Sequence, residues 1–273
     1  FAAAGVPESK LVVVPESIDC RLFDPDTVQE KFPLPGSAAG TFAFLSVFKW
    51  EERKGWDILV RAFAGEFAST TSSVRLYLRT GAPEHWPRMR QQVLSIIMQV
   101  EPDERAAHLV LERIAFVDRV AHADYPRLYR AADAFVLPTR GEGWGRPILE
   151  AMGMGLPVIA TNWSGPTHFM SPSNSYPIAV DRLEPAFQSQ PQLLYGDAHQ
   201  KEGSSSASRP LHEWARPHVG MLRRLMREVY TDQAGARIRG EQARQDVRNY
   251  WCKETVARII RDRLITIVDK LEA

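Results

Sequence analysis

The sequence predicts an α/β protein with a Rossmann-like, doubly wound parallel sheet and extra helices at its C-terminal end. Three observations support this fold class. Short apolar runs alternate with segments whose apolar residues recur every three or four positions, as strands alternate with helices in βαβ units. Several runs are apolar at every position, which is typical of parallel strands covered on both faces. Polar loops that contain glycine follow these runs, where ligands bind in such sheets.

The first βα unit of the predicted sheet begins at residue 42. Phe42–Phe48 is a continuous apolar run and is therefore a predicted buried strand. A polar, basic loop follows from Lys49 to Gly55. The next segment has apolar residues at helical spacing, namely Trp56, Ile58, Leu59, Ala62, Phe63 and Phe67. The unit is thus predicted as strand, basic loop and helix.

The same alternation continues through the middle of the chain. Further predicted strands are 74–78, 109–117, 134–138 and 156–160, and predicted helices are 86–100, a short segment at 125–132 and one ending near Gly153. Upstream of the first unit, Leu11–Val14 has a short strand pattern. Strands separated by helices over this length favour crossover connections and a parallel sheet.

Composition shifts suggest two boundaries in the chain. Residues 1–40, with Pro33, Pro35 and Gly36 near their end, are expected to be an entry segment and linker from a missing N-terminal domain, and residues 41–273 the main domain. The chain starts at Phe1 and a small-residue run, so we expect a fragment of a longer protein. Within the main domain, the Gln-, Ser-, Gly- and Pro-rich stretch 185–210 is a predicted flexible insertion.

Helical patterns resume after this insertion. Apolar residues recur at Leu222, Leu225, Met226 and Val229, and again at Val256, Ile260, Leu264, Ile267 and Leu271. The last helix therefore has a clear apolar face. That face either covers the sheet or docks on something outside this chain.

Composition excludes some classes of function. The formal net charge of +1 gives no strong field to attract nucleic acid or an anionic membrane. We expect no signal peptide, and the sequence contains no apolar run of about 18 residues. The two cysteines, Cys20 and Cys252, lack the paired spacing of metal or redox sites, so we expect free thiols and a reducing compartment. The expected location is the cytoplasm or the cytoplasmic face of a membrane.

Arg140–Glu150 carries the strongest functional signal in the sequence. It joins a predicted strand to a helix that opens near Pro147, so backbone amides can converge there on an anion. Glu142 lies in the loop before the helix, and Glu150 lies within the helix. Because amides suit a phosphate and carboxylates suit hydroxyls, these residues predict a nucleotide sugar as ligand.

The motifs of the chain resemble those of a known enzyme family. A lysine-glycine pair follows the first strand, and three further motifs come in order: Ala132–Pro138, Glu142–Met152 with its Glu-x7-Glu spacing, and Gly155–Ala160. Together they resemble the C-terminal, nucleotide-sugar-binding domain of family-four retaining glycosyltransferases, which have the GT-B fold. The resemblance covers residues 5 to 264. Two stretches, Phe48–Trp50 and Trp163–Thr167, are similar to a eukaryotic, plant-like branch of that family.

The resemblance implies a role for each of the two glutamates. Glu142 matches the family's first glutamate, which contacts hydroxyls of the donor sugar near the reacting carbon, and is the implied catalytic residue. Glu150 matches the second glutamate, which binds the ribose hydroxyls. The resemblance also implies that Lys54 and Lys49 neutralise the diphosphate.

Further donor-binding residues follow from the same resemblance. Backbone amides around Gly145 and Arg146 are implied to bind the diphosphate, and base recognition is implied near Gly81 and Arg119, largely through backbone groups. No metal and no other cofactor is implied, since cations and a helix N-terminus can stabilise the charge that builds on the departing diphosphate.

Some positions depart from the family pattern. Phe48-Lys49 stands where the family usually has Gly-Arg, and lysine cannot bind phosphate bidentately as arginine does. His168 stands where a glutamate is common. The acceptor-binding N-terminal half of the GT-B fold is not in this sequence, so we expect donor binding without efficient transfer. The expected partners are a nucleotide sugar, the missing N-terminal domain and other proteins, and not nucleic acid.

Simpler roles stay open for several of these residues. The two glutamates could be a loop carboxylate and a first-turn glutamate stabilised by the helix dipole. Lys49, Arg53 and Lys54 could form an ordinary solvated loop, although Lys54 is the favoured phosphate ligand. Trp144 could pack in the core or stack on a sugar. His85, His122 and His168 are expected to be structural or surface histidines. The alternative function is a degenerate domain that serves as a structural or interaction subunit.

Overall fold

A six-stranded parallel sheet forms the centre of the fold. The computed structural model describes residues 5–69, 73–186 and 212–272. The strands of the sheet are β1 Phe42–Val47, β2 Val74–Arg79, β3 Ile114–Val117, β4 Ala134–Leu137, β5 Val158–Thr161 and β6 Tyr176–Ile178. They lie in the order β3-β2-β1-β4-β5-β6. The chain therefore adds β2 and β3 on one side of β1 and then adds β4, β5 and β6 on its other side. The predicted doubly wound, Rossmann-like sheet is confirmed.

Helices cover both faces of the sheet. They are α1 Trp56–Phe67, α2 Trp86–Met98, α3 Glu104–Leu111, α4 Tyr125–Arg130, α5 Arg146–Gly153, α6 Val219–Thr231, α7 Gln233–Tyr250 and α8 Lys253–Glu272. Helix α1 packs against α2 and α6, whereas α5 packs against α7. The predicted extra C-terminal helices are present, and two of them, α6 and α7, are each part of one layer. A separate antiparallel hairpin is formed by β7 Val180–Pro185 and β8 Glu213–Pro217.

The continuous apolar runs form the strands because both faces of the sheet are covered. All six residues of β1 are buried, as are all four of β4 and β5. Phe44 packs against Phe67 of α1 with ring centroids 5.9 Å apart, and Phe67 in turn contacts Tyr230 of α6. The aromatic cluster between β1, α1 and α6 thus anchors one helical layer to the central strand.

One predicted strand was partly wrong. Residues 109–111 belong to α3, and the strand begins only at Ile114. The helix begins at a cap that the apolar pattern did not show: the side chain of Asp103 accepts a hydrogen bond from the amide of Ala106 at 2.7 Å. Val110 and Leu111 are buried, and α3 packs against α2. A short apolar run is compatible with a strand or with a buried helix segment, and here the Asp103 cap stabilises the helix.

The N-terminal and late parts of the chain also differ from prediction. Leu11–Val14 is not a strand: it follows a 3₁₀ turn at Glu8–Lys10, and its valines are exposed. The short strand β6 and the hairpin β7–β8 were not predicted. Most of the predicted insertion 185–210 lies outside the described residues, although Pro185 is the last residue of β7.

Helix α8 leaves its apolar face uncovered. Val256 is its buried residue, whereas Leu264, Ile267 and Leu271 are exposed. The face therefore does not cover the sheet. Among the described residues, no helix combines the length and apolar character that crossing a membrane requires.

A disulfide bond joins Cys20 to Cys252, with their Cα atoms 5.4 Å apart. The expectation of free thiols was therefore wrong. The two cysteines are distant in sequence, but Ile18 forms an isolated parallel bridge beside Cys252: the amide of Ile18 donates to the carbonyl of Trp251 at 3.1 Å, and the amide of Lys253 donates to the carbonyl of Ile18 at 3.1 Å. This backbone pairing fixes the entry segment against the junction of α7 and α8.

Replacing Cys252 with serine will lower the free energy of unfolding by about 2–5 kcal/mol, because the disulfide closes a very long loop and restricts the unfolded chain. Denaturation in urea measures the change. Cys20→Ser should have the same effect, and the double variant should lose no more than either single variant. A reductant should destabilise the wild type and leave the double variant unchanged, whereas equal stability of all four proteins would contradict the prediction.

Candidate functional site

The candidate site lies at the carboxyl ends of the adjacent strands β1 and β4. The loop after β1 turns through Glu52–Lys54, a 3₁₀ turn, into Gly55, which has a left-handed φ of 68°. A Cβ atom at Gly55 would overlap the carbonyl oxygen of Pro138, just after β4. Glycine is therefore required by both the backbone conformation and the close approach of the two loops. This contact places the basic loop beside the loop that carries Glu142.

Lys54 and Glu142 form an ion pair between these two loops. The ammonium group of Lys54 donates to both carboxylate oxygens of Glu142 at 2.8 Å. The Lys54 side chain is 11% exposed and the Glu142 side chain 7% exposed. A guanidinium nitrogen of Arg53 lies 3.5 Å from the same carboxylate and donates to the carbonyl of Gly141 at 2.6 Å. Two cations therefore hold one carboxylate in a largely desolvated position.

The loop after β5 supports the backbone of Glu142. The hydroxyl of Ser164 accepts a hydrogen bond from the amide of Glu142 at 3.0 Å, and the amide of Gly165 donates to the carbonyl of Glu142 at 3.3 Å. Ser164 has a positive φ of 54°, a conformation that non-glycine residues rarely adopt. A Cβ atom at Gly165 would overlap the backbone of Gly143. The two loops are thus packed backbone against backbone.

Arg140 joins four segments around the site. Its guanidinium donates two hydrogen bonds of 2.7 Å to the carboxylate of Asp57 in α1, one of 3.0 Å to Glu184 in β7 and one of 2.7 Å to the carbonyl of Glu52. The amide of Ala215 in β8 donates to the carbonyl of Arg140. Burial by itself lowers the pKa of Arg140, but the hydrogen bonds and charges of Asp57 and Glu184 outweigh it and raise that pKa above its usual value. Arg140 therefore stays charged and fixes the loop that leads to Glu142.

The N-terminus of α5 faces the same edge of the sheet. Gly145 precedes the helix with a φ of 100°, Arg146 is its first residue, and Pro147 occupies the first turn. The first amides of an α-helix have no acceptor within the helix and carry the positive end of its dipole. The amide of Arg146 therefore has no acceptor within the helix, and its binding of an anion stays a prediction.

Glu150 lies in α5 and is 9% exposed. The phenol of Tyr129 in α4 donates to its carboxylate at 2.9 Å, and Arg146 approaches it at 3.8 Å. Burial raises the pKa of Glu150 above its usual value, although the Tyr129 hydrogen bond and the Arg146 charge act in the opposite direction. Burial and the adjacent carboxylate both raise the pKa of Tyr129. Glu150 is thus a positioned acceptor and not a solvated helix residue.

Trp144 is a packing residue. Its indole is buried, stacks on the ring of His168 at 5.3 Å and contacts Phe169 and Trp251. Trp251 precedes the disulfide-bonded Cys252. The alternative of a sugar-stacking platform at Trp144 is therefore not supported, and His168 has a structural contact as expected.

The other predicted donor-binding residues lie near this edge without contacting the Lys54–Glu142 pair. Lys49 follows β1 and is exposed. Gly81 follows β2 with a φ of 54° and lines a cavity of about 1180 Å³ together with Arg53, Trp50 and Trp56. Arg119 follows β3, is exposed and lies 3.8 Å from Glu84. Among the predicted residues, the structure thus brings Lys54 close to Glu142, and Arg146 close to Glu150.

Comparison with known proteins places these motifs in a family. A sequence profile of the family described as "Glycosyl transferases group 1" matches residues 39–187, more than half of the chain and all of the loops described above. The chain belongs to this glycosyltransferase family. Its sheet and flanking helices have the Rossmann-like fold of one half of a GT-B glycosyltransferase.

Individual relatives in the family support the same assignment. The mannosylfructose-phosphate synthase of Agrobacterium fabrum is 30% identical over 168 residues, which is 59% of this chain and 34% of that protein. The mannosyltransferase LpsB of Rhizobium meliloti is 46% identical over 68 residues, 24% of this chain and 19% of that protein. The chain therefore spans about a third or less of the length of these curated relatives. The plant-like branch stays a prediction.

Two solved structures share the fold. A glycosyltransferase from Rickettsia africae superposes with a TM-score of 0.70 at 16% identity, covering 97% of this chain and 59% of the other. HepE of Anabaena, crystallised with UDP and glucose, superposes with a TM-score of 0.65 at 16% identity over 97% of this chain and 59% of the other.

The sequence did not indicate several residues of this candidate site. Arg140 stood out only as the start of a motif, and nothing assigned Asp57, Glu184 or Tyr129 to the site. Their partners are distant in sequence: Asp57 and Arg140 are 83 residues apart, and Tyr129 and Glu150 are 21 apart. An arginine just after a predicted buried strand was the available signal for Arg140.

Replacing Arg140 with methionine will lower the free energy of unfolding by about 3 kcal/mol, because the change leaves Asp57 and Glu184 without their shared cation in a largely buried position. Thermal or urea denaturation measures the effect. Arg182→Met, on the hairpin that carries Glu184, is the matched control, since Arg182 is 55% exposed and pairs only with the neighbouring Asp181 among the described residues. The control should change stability by less than about 0.5 kcal/mol. Equal effects of the two substitutions would contradict this role of Arg140.

Replacing Glu150 with glutamine will make the stability of the protein less dependent on pH. The folded state holds the proton of Glu150 more tightly than the unfolded state, because the folded pKa is raised above the usual 4.5. Its stabilising contribution is therefore full below 4.5 and is lost as pH rises through the folded pKa. The melting temperature of the variant relative to the wild type should accordingly increase from about pH 4 to about pH 7.

Glu254→Gln, at an exposed position of α8, is the control for this series. Its melting temperature should follow that of the wild type across the same pH range. A constant offset between Glu150→Gln and the wild type would show that Glu150 does not titrate differently in the folded protein.

Proposed function

We propose that this chain is the donor-binding part of a glycosyltransferase that takes a nucleoside diphosphate sugar and transfers the sugar with retention of configuration and without a metal ion. The ion pair between Lys54 and Glu142, beside the N-terminus of α5, carries this proposal. It places a cation for phosphate and a carboxylate for sugar hydroxyls within one hydrogen bond of each other.

The ligand fits the site in three parts. The diphosphate takes the ammonium group of Lys54 and the amide at the start of α5, with Lys49 as a further cation. The ribose hydroxyls donate to Glu150, whose carboxylate is held by Tyr129. The sugar lies against Glu142, the proposed catalytic residue. Gly81 and Arg119, at the ends of β2 and β3, are proposed to lie near the base.

Binding of the diphosphate changes the partner of Lys54. In the structure, the ammonium group satisfies the carboxylate of Glu142. A phosphate offers the same group a more strongly charged acceptor. The carboxylate of Glu142 then becomes available to sugar hydroxyls. As the bond to the sugar breaks, negative charge builds on the diphosphate, where Lys54 and the helix N-terminus stabilise it.

The relatives support the class of substrate. One similar structure was crystallised with UDP and glucose, and the curated relatives include a mannosyltransferase of lipopolysaccharide core synthesis. Because the chain spans only part of these proteins, the acceptor site is proposed to lie on a further domain. The chain by itself is proposed to bind donor and not to transfer sugar efficiently.

Replacing Lys54 with methionine will weaken binding of UDP, GDP and ADP to the same degree, by roughly tenfold or more, because one charge-assisted contact to the diphosphate is lost. Isothermal titration calorimetry of the chain with each nucleotide measures the affinities. Lys49→Arg should instead strengthen binding, since a guanidinium can bind phosphate bidentately.

Lys10→Met, an exposed lysine distant from the sheet edge in sequence, is the control and should leave every affinity unchanged. Failure of all three nucleotides to bind the wild type at millimolar concentration would reject the proposed function. Unchanged affinity in Lys54→Met would reject the assignment of Lys54 alone.

A further inference from the structure

Arg79 is a cation at the carboxyl end of strand β2, and the proposed donor site does not yet include it. It is the last residue of β2, where it lies in register with Val47 of β1 on one side and Val117 of β3 on the other. The amide of Phe48 donates to its carbonyl at 3.2 Å. Arg79 therefore stands between the basic loop after β1 and the loop after β3.

The guanidinium of Arg79 has no carboxylate partner among the described residues. Its Nε atom is buried and has no hydrogen-bond acceptor. The group lies over the ring of Tyr125, with its central carbon 6.0 Å from the ring centroid. A guanidinium placed over an aromatic ring is attracted by the ring face, and its terminal NH2 groups can still donate hydrogen bonds in the plane of the group. The side chain is thus oriented, but the described part of the chain does not satisfy its donors.

A row of side chains connects Arg79 to the proposed ribose site. The ring of Tyr125 contacts that of Tyr129, with centroids 6.4 Å apart, and the phenol of Tyr129 donates to Glu150 at 2.9 Å. Tyr125 and Tyr129 of this row lie in α4, and Glu150 lies in α5. Arg79 lies at the end of this row that is farther from Glu150.

The strand order indicates in which direction the bound nucleotide extends along the carboxyl ends of the strands. Phosphate ligands come from the loops after β1 and β4, which are neighbours in the sheet. A nucleotide whose ribose binds Glu150 beside α4 extends from there toward β2 and β3. We propose that Arg79 contacts the base of the bound nucleotide and makes the site selective for guanine, an inference that rests on the proposed function.

Guanine fits the donors of Arg79 better than other bases do. Its O6 and N7 are adjacent acceptors that accept two parallel hydrogen bonds from one guanidinium. Adenine presents an amino donor beside N7, which opposes the guanidinium. Uracil has no pair of adjacent acceptors on one edge, because its carbonyl oxygens flank an N–H donor. An oriented guanidinium with free donors therefore favours GDP over UDP and ADP.

Calorimetric titration of the chain with GDP, UDP and ADP tests the proposal. The wild type should bind GDP roughly tenfold or more tightly than UDP and ADP. Arg79→Met should lose this preference by weakening GDP alone, with the other two affinities unchanged. Arg79→Lys keeps the charge but not the fork of donors, so it should also lose most of the preference while retaining the wild-type melting temperature.

Arg105→Met, at an exposed position of α3, is the matched control and should keep the preference for GDP. Equal weakening of all three nucleotides by Arg79→Met and Arg79→Lys would place Arg79 at the phosphates and overturn the proposal. A wild-type preference for UDP or ADP would overturn it as well, while leaving the proposed function intact. Absence of binding by any nucleotide would reject the proposed function and this inference together.

Discussion

The buried guanidinium of Arg140 is the constraint on which the geometry of the site depends. The loop after β1, the start of α1, the loop after β4 and the hairpin meet at Arg140, whose amide donates to the carbonyl of Arg53 and whose carbonyl accepts from the amide of Ala215. Arg140 joins them through Asp57, Glu184 and the carbonyl of Glu52. A planar fork with several donors can hold partners in different directions at once, which a lysine ammonium does less rigidly. The close contact of Gly55 with Pro138 completes this arrangement, and Lys54 and Glu142 are adjacent to these two anchors.

Much of the fold could be predicted from the sequence because the sheet is buried on both faces. A continuous apolar run as short as Phe42–Val47 is typical of a covered parallel strand, and the alternation of such runs with helical patterns fixes the α/β class. Errors arose where local signals were ambiguous or weak. The helix at residues 109–111 depends on the cap at Asp103, and β6 has only three residues. The disulfide could not be predicted, because cysteines 232 residues apart carry no spacing signal.

The candidate site shows the same contrast between residues with a local sequence signal and residues whose contacts are distant in sequence. Residues that lie in one motif, such as Glu142, Gly145 and Glu150, could be named as candidates because the motif itself indicates a loop and a helix start. Their supports could not, since Tyr129 and Arg140 act through contacts that exist only in the folded chain. Within the structure, the site residues satisfy one another: Lys54 pairs with Glu142, and Tyr129 with Glu150. Such pairing keeps charged side chains ordered, and the proposed ligand would have to compete with Glu142 for Lys54.

The disulfide between Cys20 and Cys252 also has a mechanical consequence. It converts residues 20 to 252 into a closed covalent ring that contains the whole sheet, all of the site residues and the helices up to α7. The segments before and after this ring leave from the same point. A pulling force applied to those two segments would pass through the sulfur atoms and leave the strands unloaded. The site would therefore keep its geometry under a tension that would otherwise separate β1 from β4.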